Sequence, residues 1–334
     1  MKFFKLLIVS ALAFQSCQGQ FEKINGVSFV SSRDAISEAH VKPVVAVNAN
    51  YASVMPFGFL RRVDSPNLIY DTDRQWFGET AVGVKQYIQE LRKHKIKVML
   101  KPQIWIRGGV FTGYIKMNSE EDWKVLEAAY SKFILDYAHL AEELKIEIFC
   151  IGTELETFIN NRPVYWSKLI NEINSIYKGA LTYAANWDEF KRIPFWSELD
   201  YIGIDAYFPV SENKTPSVED CLRGWMSHLP EIKKNQEGFE KPILFTEFGY
   251  RSVDYTGKEP WRSDRDMNEV NLEAQTNATR ALFETFWDEE WFAGGFIWKW
   301  FHRHEQAGGV ENSRFTPQNK PVELLIKEHY EAYN

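Results

Sequence analysis

The sequence has few cysteines, no block of basic residues and no long apolar run beyond its N-terminus. Three cysteines in 334 residues do not form a disulfide framework, and Cys150 lies in the apolar run 146–151, where a buried free thiol is expected. The net charge is −7, and the basic patch that nucleic-acid binding requires is missing. No later segment has the length and apolarity of a transmembrane helix. A neutral polysaccharide or oligosaccharide therefore fits the chain better than a nucleic acid.

Aromatic residues are abundant, with 12 Trp, 15 Tyr and 24 Phe in the chain. A large core absorbs most of the Phe and part of the Trp. Trp also stacks well on flat apolar faces, including those of sugar rings, while its N–H finds a polar partner. The surplus of Trp therefore favours a carbohydrate ligand.

The N-terminus has the pattern of an export signal. Two lysines within residues 1–5 precede the apolar run 6–14, and Ser16 stands before Cys17. The pattern resembles a bacterial lipoprotein signal, with residues 1–16 removed, Cys17 lipidated and residues 17–23 acting as a tether. We expect a protein of the cell envelope, periplasmic or on the outer-membrane surface, that meets the membrane only through this lipid anchor. The alternative is an ordinary signal peptide cleaved nearby.

From residue 24 to 334, apolar β-rich runs alternate with helical stretches, as in parallel βα units. The predicted strands are Gly26–Val30, Val44–Asn48, Lys97–Ile104, Glu147–Gly152, Leu181–Ala185, Tyr201–Ala206, Ile243–Glu247 and Gly295–Trp298. The predicted helices are Thr80–His94, Glu120–Leu144, Val164–Tyr177, Val218–Lys234 and Asn268–Asp288. An open doubly wound sheet usually has a glycine-rich loop after its first strand, and Val27–Arg33 contains no glycine. We therefore predict one α/β domain, a (β/α)8 TIM barrel whose active site lies at the C-terminal ends of the strands.

Two glutamates stand where predicted strands end. Glu154 follows the fourth strand and Glu247 ends the seventh. The C-terminal ends of barrel strands carry the catalytic groups, and these two strands lie on opposite sides of a barrel. A retaining glycosidase needs two carboxyls about 5–5.5 Å apart, whereas an inverting enzyme needs about 6.5–9.5 Å. The pair of Glu154 and Glu247 therefore predicts glycoside hydrolysis.

Five motifs occur in an order that resembles glycoside hydrolase family 113, a TIM-barrel family of clan A. They are LKPQIWIRG at Leu100–Gly108, IGTELE at Ile151–Glu156, IGIDAYFP at Ile202–Pro209, LFTEFGY at Leu244–Tyr250 and FIWKWF at Phe296–Phe301. The resemblance extends over nearly the whole mature chain. It implies a retaining endo-β-1,4-mannanase that needs no cofactor. Residue by residue, it also implies that Glu154 is the acid/base and Glu247 the nucleophile. Tyr207 would then hydrogen-bond the nucleophile, and Trp298 would be the floor under the sugar at the cleavage point.

Two positions depart from the wider clan. Thr153 stands where most clan members have an Asn that binds the sugar 2-hydroxyl, and Gln103 stands where a His usually follows Lys-Pro. Further candidates for substrate contact are Lys101, Gln103, Asn48, Asn186, Trp105, Trp187 and Trp300. Asp205 is interpreted as structural, because the glutamates already fill both chemical roles. The loop Arg251–Arg265, with Trp261 inside it, is expected to decide how open the cleft is.

The segment His302–Glu305 has two alternating histidines but no third ligand at a recognisable spacing, so we interpret it as a polar loop and predict no metal site. Two alternatives to a mannan-cleaving enzyme stay open. One is a clan A glycosidase of other specificity, acting on β-glucan or a small glycoside. The other is a surface lipoprotein that binds glycans without cleaving them.

Overall fold

The computed structural model describes residues 22–263 and 269–334. The predicted signal peptide, Cys17 and most of the predicted tether lie outside the described residues. In the described part, ten strands occur in the order β1 (Ile24–Phe29), β2 (Tyr51–Val54), β3 (Phe57–Leu60), β4 (Lys97–Leu100), β5 (Gln103–Ile106), β6 (Ile148–Thr153), β7 (Ala180–Asn186), β8 (Ile202–Asp205), β9 (Ile243–Phe248) and β10 (Phe292–Trp300).

Eight of these strands close into a parallel barrel in the order β1-β10-β9-β8-β7-β6-β4-β2. Eight helices surround it: α1 (Glu38–Ala46), α2 (Ala81–Lys93), α3 (Glu120–Glu143), α4 (Glu156–Asn161), α5 (Pro163–Ile176), α6 (Val218–Phe239), α7 (Leu272–Phe286) and α8 (Pro321–Ala332). Short 3₁₀ turns lie at Phe77–Glu79, Thr112–Tyr114, Phe190–Arg192, Trp196–Glu198 and His304–Gln306. The predicted (β/α)8 barrel is confirmed, and the open-sheet alternative is excluded. Within the described ranges, no helix is long and apolar enough to cross a membrane.

The predicted helices begin where the sequence offers a cap. Ser119 accepts a hydrogen bond from the backbone N–H of Asp122 and caps α3, and Thr80 caps α2 in the same way through Gly83. A side-chain oxygen at this position satisfies a backbone N–H that the first helical turn leaves without a partner. α2 then buries Val84, Ile88 and Leu91 along one face, as the spacing predicts.

Residues on alternate sides of the strands form two separate layers. Inward-facing apolar side chains from several strands make a small cluster inside the barrel: Ile24, Met99, Ile148, Cys150, Ala184, Leu244 and Phe296. Outward-facing residues join the helices in the main core. Because the barrel interior is filled, any ligand site has to lie above it, at the strand ends.

One predicted strand is wrong. Val44–Asn48 falls on the end of α1 and the residues after it, and the second barrel strand is Tyr51–Val54. A short apolar run does not distinguish a strand from a buried helix end. In α1, Val41 and Val44 are buried while Val45 is exposed, which is helical spacing.

The predicted strand Lys97–Ile104 is two strands. β4 ends at Leu100, Pro102 interrupts the ladder because it has no N–H, and β5 continues after it. β5 pairs in parallel with β3, so these two strands extend β4 and β2 above the barrel rim. This small sheet forms one wall over the strand ends.

Candidate active site

A cleft of about 1850 Å³ opens at the C-terminal ends of the barrel strands. Glu154 and Glu247 both line it, together with Asp205 and Tyr207. One wall is the small sheet of β3 and β5, and another contains Trp261, from the loop that the sequence predicted to border the cleft. The structure therefore brings together the residues that the sequence placed on separate strands.

Glu247 is held by three hydrogen-bond donors. Lys101 Nζ lies 2.6 Å and Gln103 Nε2 3.1 Å from its Oε1, while Tyr207 Oη donates to Oε2 at 2.8 Å. Only 7% of Glu247 is exposed, so its orientation is fixed by these contacts. A carboxylate accepting from three donors, one of them cationic, is stabilised as an anion. The expected contact between Tyr207 and Glu247 is present.

Lys101 is fully buried and lies between two acids. Besides Glu247, its ammonium contacts Asp205 at 3.0 and 3.3 Å, and Thr246 Oγ1 donates to the same Asp205 at 2.7 Å. Burial lowers the pKa of Lys101, but the charges of Asp205 and Glu247 outweigh this and raise it. Burial and then the charge of Glu247 raise the pKa of Asp205. Lys101 and Gln103 therefore hold the carboxylate of Glu247, and Asp205 belongs to the site through Lys101.

Glu154 follows β6 in a left-handed backbone conformation with φ 53°, and its N–H donates to Ala184 O at 2.8 Å. Its carboxyl is half-buried in the cleft. Burial raises the pKa of Glu154 well above its ordinary value, and the charges of Asp205, Glu247 and Glu189 raise it further. A glutamate whose pKa is raised keeps its proton to a higher pH than an ordinary glutamate, which suits a general acid.

A buried network lies beside Glu154. Tyr183 Oη accepts from the backbone N–H of Leu155 and donates to Glu189 at 2.7 Å, and the backbone N–H of Asn186 donates to the other oxygen of Glu189 at 3.0 Å. Burial raises the pKa of Glu189 to about 8. Glu189 was not among the candidates from the sequence, since it follows β7 in an ordinary polar turn. Through Tyr183 it ties Leu155, the residue after Glu154, to the end of β7.

Aromatic rings cover much of the cleft surface. Trp298, Trp105 and Trp187 line it as predicted, and Trp105 is 50% exposed. Trp187 stacks on Trp261 with ring centroids 5.3 Å apart and planes 16° from parallel. Trp76, which the sequence did not single out, also lines the cleft. Flat exposed indoles are suited to stacking on the apolar faces of sugar rings.

Among the described residues, two buried side-chain oxygens at the cleft have no hydrogen-bond partner. They are Oγ1 of Thr153 and Oδ1 of Asn186, both buried in residues that line the cleft. A buried polar atom without a partner is costly, and such atoms are uncommon in folded proteins. Each is available to a ligand hydroxyl. This agrees with the substrate contact expected of Asn186, and it gives Thr153 a polar group for the sugar despite the missing Asn.

Two predicted substrate residues are wrong. Asn48 follows α1, where its side chain donates to Lys327 O beside α8, and it does not line the cleft. Its assignment failed with the misplaced second strand. Trp300 is fully buried in the main core. Strict alternation along β10 predicts that Trp300 faces the same side as Trp298. Instead, the two residues of this strand end that line the cleft are Trp298 and Lys299.

The two histidines after β10 lie near acidic side chains. His304 Nε2 lies 2.5 Å from Glu323 Oε1, whereas His302 Nε2 lies 3.8 Å from Asp34, which is too far for a hydrogen bond. Across residues 22–263 and 269–334, no three His, Cys, Asp or Glu side chains are grouped so as to hold a metal ion. Cys150 and Cys221 are both buried free thiols.

A closed (β/α)8 barrel with glutamates at the ends of its fourth and seventh strands, under an aromatic cleft, is the arrangement of a glycoside hydrolase. The model of Glycoside Hydrolase Family 113 matches residues 30–320. The chain therefore belongs to glycoside hydrolase family 113.

Solved structures of this family resemble the chain over most of its length. A family 113 β-mannanase from Alicyclobacillus acidocaldarius, in a complex, is 24% identical with a TM-score of 0.81, covering 93% of this chain and 98% of the other. A family 113 β-1,4-mannanase complex is 21% identical with a TM-score of 0.80, covering 93% and 99%. A β-glucuronidase from Faecalibacterium prausnitzii is 14% identical with a TM-score of 0.62, and the match covers 93% of this chain but 49% of that enzyme. No curated protein matches the chain by sequence.

Proposed function

We propose that this glycoside hydrolase cleaves β-1,4-linked mannan or manno-oligosaccharides with retention of configuration. The observation that carries the proposal is the unequal environment of the two glutamates. Glu247 accepts from Lys101, Gln103 and Tyr207, while burial and neighbouring negative charge raise the pKa of Glu154. These unequal environments support Glu247 as the nucleophile and Glu154 as the acid.

In the first step, Glu247 attacks the anomeric carbon while Glu154 gives its proton to the departing glycosidic oxygen. The C–O bond to the leaving sugar breaks, and an ester between the sugar and Glu247 forms. In the second step, Glu154, now ionised, takes a proton from water, which attacks the same carbon and releases Glu247. Lys101 and Tyr207 keep the carboxylate of Glu247 oriented through both steps.

The cleft offers matching contacts for a neutral sugar chain. Trp298 and Trp105 present aromatic surfaces, and Thr153 and Asn186 present unpartnered oxygens for hydroxyl groups. β-1,4-Mannanases of the family share this fold. These features support mannan as the substrate class.

Chemical rescue of the nucleophile variant tests the mechanism. Glu247→Ala is expected to lose on the order of 10⁴-fold in kcat, and azide should restore part of the rate and give a product of inverted configuration. A Glu247→Ala variant that retains substantial activity without azide would show that another group is the nucleophile.

A substrate panel tests the specificity. Mannan, glucomannan, cellulose, xylan and small aryl glycosides are compared at equal enzyme concentration, and mannan is expected to give the highest kcat/KM. Activity on β-glucan or small glycosides alone would support another clan A specificity. Binding of mannan without product, in wild type as in Glu154→Gln, would support the non-catalytic glycan-binding protein.

We also propose that the mature protein is anchored to the bacterial envelope through lipid on Cys17. The basic, apolar and Ser-Cys sequence of the N-terminus supports this. The Cys17→Ala variant of the full chain should lose incorporation of labelled fatty acid and leave the membrane fraction. Equal fractionation and equal labelling of both forms would instead support an ordinary signal peptide.

A further inference from the structure

A second recess, here called the side pocket, adjoins the catalytic cleft. It has a volume of about 620 Å³ and is lined by Arg251, Arg303, Arg314 and Lys299 among others. Phe301, Phe315 and Lys299 also line the cleft, so the two cavities are continuous. A group attached to a sugar in the cleft can therefore reach the side pocket without leaving the substrate chain.

The described residues that line the side pocket carry a net positive charge, although the whole chain carries −7. None of the described residues that line it is Asp or Glu. At its rim, Asp34 pairs with Arg303 at 2.7 Å, and Arg251 donates to the backbone oxygen of Ser313 at 3.0 Å. The concentration of cations in a protein of opposite net charge is a local feature that favours an anionic ligand.

Two of these cations have no anionic partner within hydrogen-bonding reach. The ammonium of Lys299 lies 5.2 Å from the ring centre of Trp298 and 5.4 Å from that of Phe301, and makes no hydrogen bond or ion pair in the described structure. The exposed Arg314 side chain likewise makes neither within the described residues. Burial and the nearby charge of Arg314 lower the pKa of Lys299, against the opposing charge of Glu247. An anion placed between Lys299 and Arg314 would relieve their mutual repulsion.

The shape of the site indicates which anion it would take. A guanidinium offers paired N–H donors that match a carboxylate, and the aromatic rings of Phe301 and Phe315 offer faces for a sugar ring. We propose that the side pocket binds the carboxylate of an acidic sugar in the substrate, through Lys299 and Arg314. The enzyme would then favour mannan chains that carry uronic acid over unsubstituted ones, a selectivity that rests on the proposed mannanase activity.

The test compares manno-oligosaccharides of one length, either neutral or carrying a uronic acid at the reducing end, at the non-reducing end or on a branch. For wild type, kcat/KM should be highest with one of the acidic substrates. Arg314→Gln and Lys299→Met should each lower the ratio of acidic to neutral kcat/KM by about tenfold, the value of one charge-assisted hydrogen bond. Arg280→Gln is the matched control, since Arg280 is exposed on α7 outside the pocket, and it should leave the ratio unchanged.

The outcomes separate this inference from the proposed function. The inference is overturned if the wild-type ratio of acidic to neutral kcat/KM is one or less, or if neither variant changes a ratio above one. In both cases, cleavage of the neutral substrate still upholds the mannanase. If no substrate is cleaved, the mannanase proposal fails. Calorimetric titration with glucuronate and with glucose then tests the pocket alone. The inference requires that the wild type binds glucuronate more tightly than glucose and that Arg314→Gln weakens the binding of glucuronate. If acidic substrates are not favoured over neutral ones and glucuronate is not favoured over glucose, but inorganic phosphate binds the wild type, the pocket is a site for small free anions. That result would overturn the inference.

Discussion

Lys101 places its ammonium 2.6 Å from Oε1 of Glu247, with no part of the lysine side chain exposed to solvent. The same ammonium contacts Asp205, so one buried cation compensates two buried acids. In a low-dielectric interior such a cation is essential, because two facing carboxylates without it repel each other strongly. Lys101 acts on the reaction through the nucleophile, as a positioning residue.

Replacing Lys101 with Met should therefore impair both stability and activity. Removing one partner of a buried ion pair costs about 3–5 kcal/mol, which thermal unfolding would detect as a lower Tm. The acidic limb of the kcat/KM profile should also move to higher pH, because one of the facing carboxyls then holds a proton. Adding Asp205→Asn should recover part of the stability. Lys168→Met, on the exposed face of α5, is the control and should change neither quantity; an unaltered pH profile in Lys101→Met would contradict the assigned role.

We expect Glu154 to lower the stability of the folded protein as the pH rises. Its pKa is raised in the folded protein, so the folded state holds a proton that the unfolded state releases as pH rises above the ordinary glutamate range. Stability is thus lost as pH rises through that window. Glu154→Gln removes this loss, and its Tm should exceed the wild-type Tm at pH 8 but not at pH 4. Glu284→Gln, exposed on α7, should show no such crossover. A constant difference between variant and wild type at both pH values would rule out the raised pKa.

We expect Thr153 to contribute to kcat/KM and not to the stability of the fold. Its buried Oγ1 has no partner among the described residues, so Thr153→Val removes an unsatisfied group at nearly constant volume. We expect an unchanged or higher Tm together with a loss of about tenfold in kcat/KM, the value of one lost hydrogen bond to a hydroxyl. Thr153→Ser should restore much of the activity. A fall in Tm with unchanged kinetics would assign Thr153 a structural role.

Trp105 and Trp300 should respond in opposite ways to the same substitution. Trp105 is 50% exposed in the cleft and Trp300 is fully buried. Trp300→Ala should cost about 3–5 kcal/mol of stability through the cavity it leaves. Trp105→Ala should leave Tm nearly unchanged and raise KM for long oligosaccharides more than for short ones, because it removes a stacking surface. If Trp105→Ala raised KM equally for long and short substrates, Trp105 would not contact a sugar remote from the cleavage point.

The sequence predicted the barrel and the glutamate pair because both depend on local signals. Long apolar strands and capped helices are recognisable one element at a time, and Glu154 and Glu247 stand directly at strand ends. The second strand was missed because Tyr51–Val54 is only four residues long and contains a serine, whereas the apolar end of α1 looks more strand-like.

The remainder of the site depends on contacts between distant parts of the chain. Lys101 and Glu247 are 146 residues apart, and nothing local to either residue reports their ion pair. Glu189 lies in a polar turn, and its burial becomes evident only once Tyr183 and Asn186 are placed. Trp300 is buried and Lys299 is partly exposed, the reverse of what alternation along the strand predicts, because the end of β10 departs from simple alternation.

The left-handed backbone at Glu154 also bears on how the family evolves. With φ at 53°, this position suits glycine or asparagine better than glutamate, and the proposed acid/base role gives a reason for keeping an unfavourable residue there. Substitution by glycine would remove both the backbone strain and the buried acid, and would yield a more stable but inactive protein. In a lineage released from selection for catalysis, this position should drift early toward glycine or asparagine. The residue found there would then distinguish working enzymes from descendants that keep only the fold.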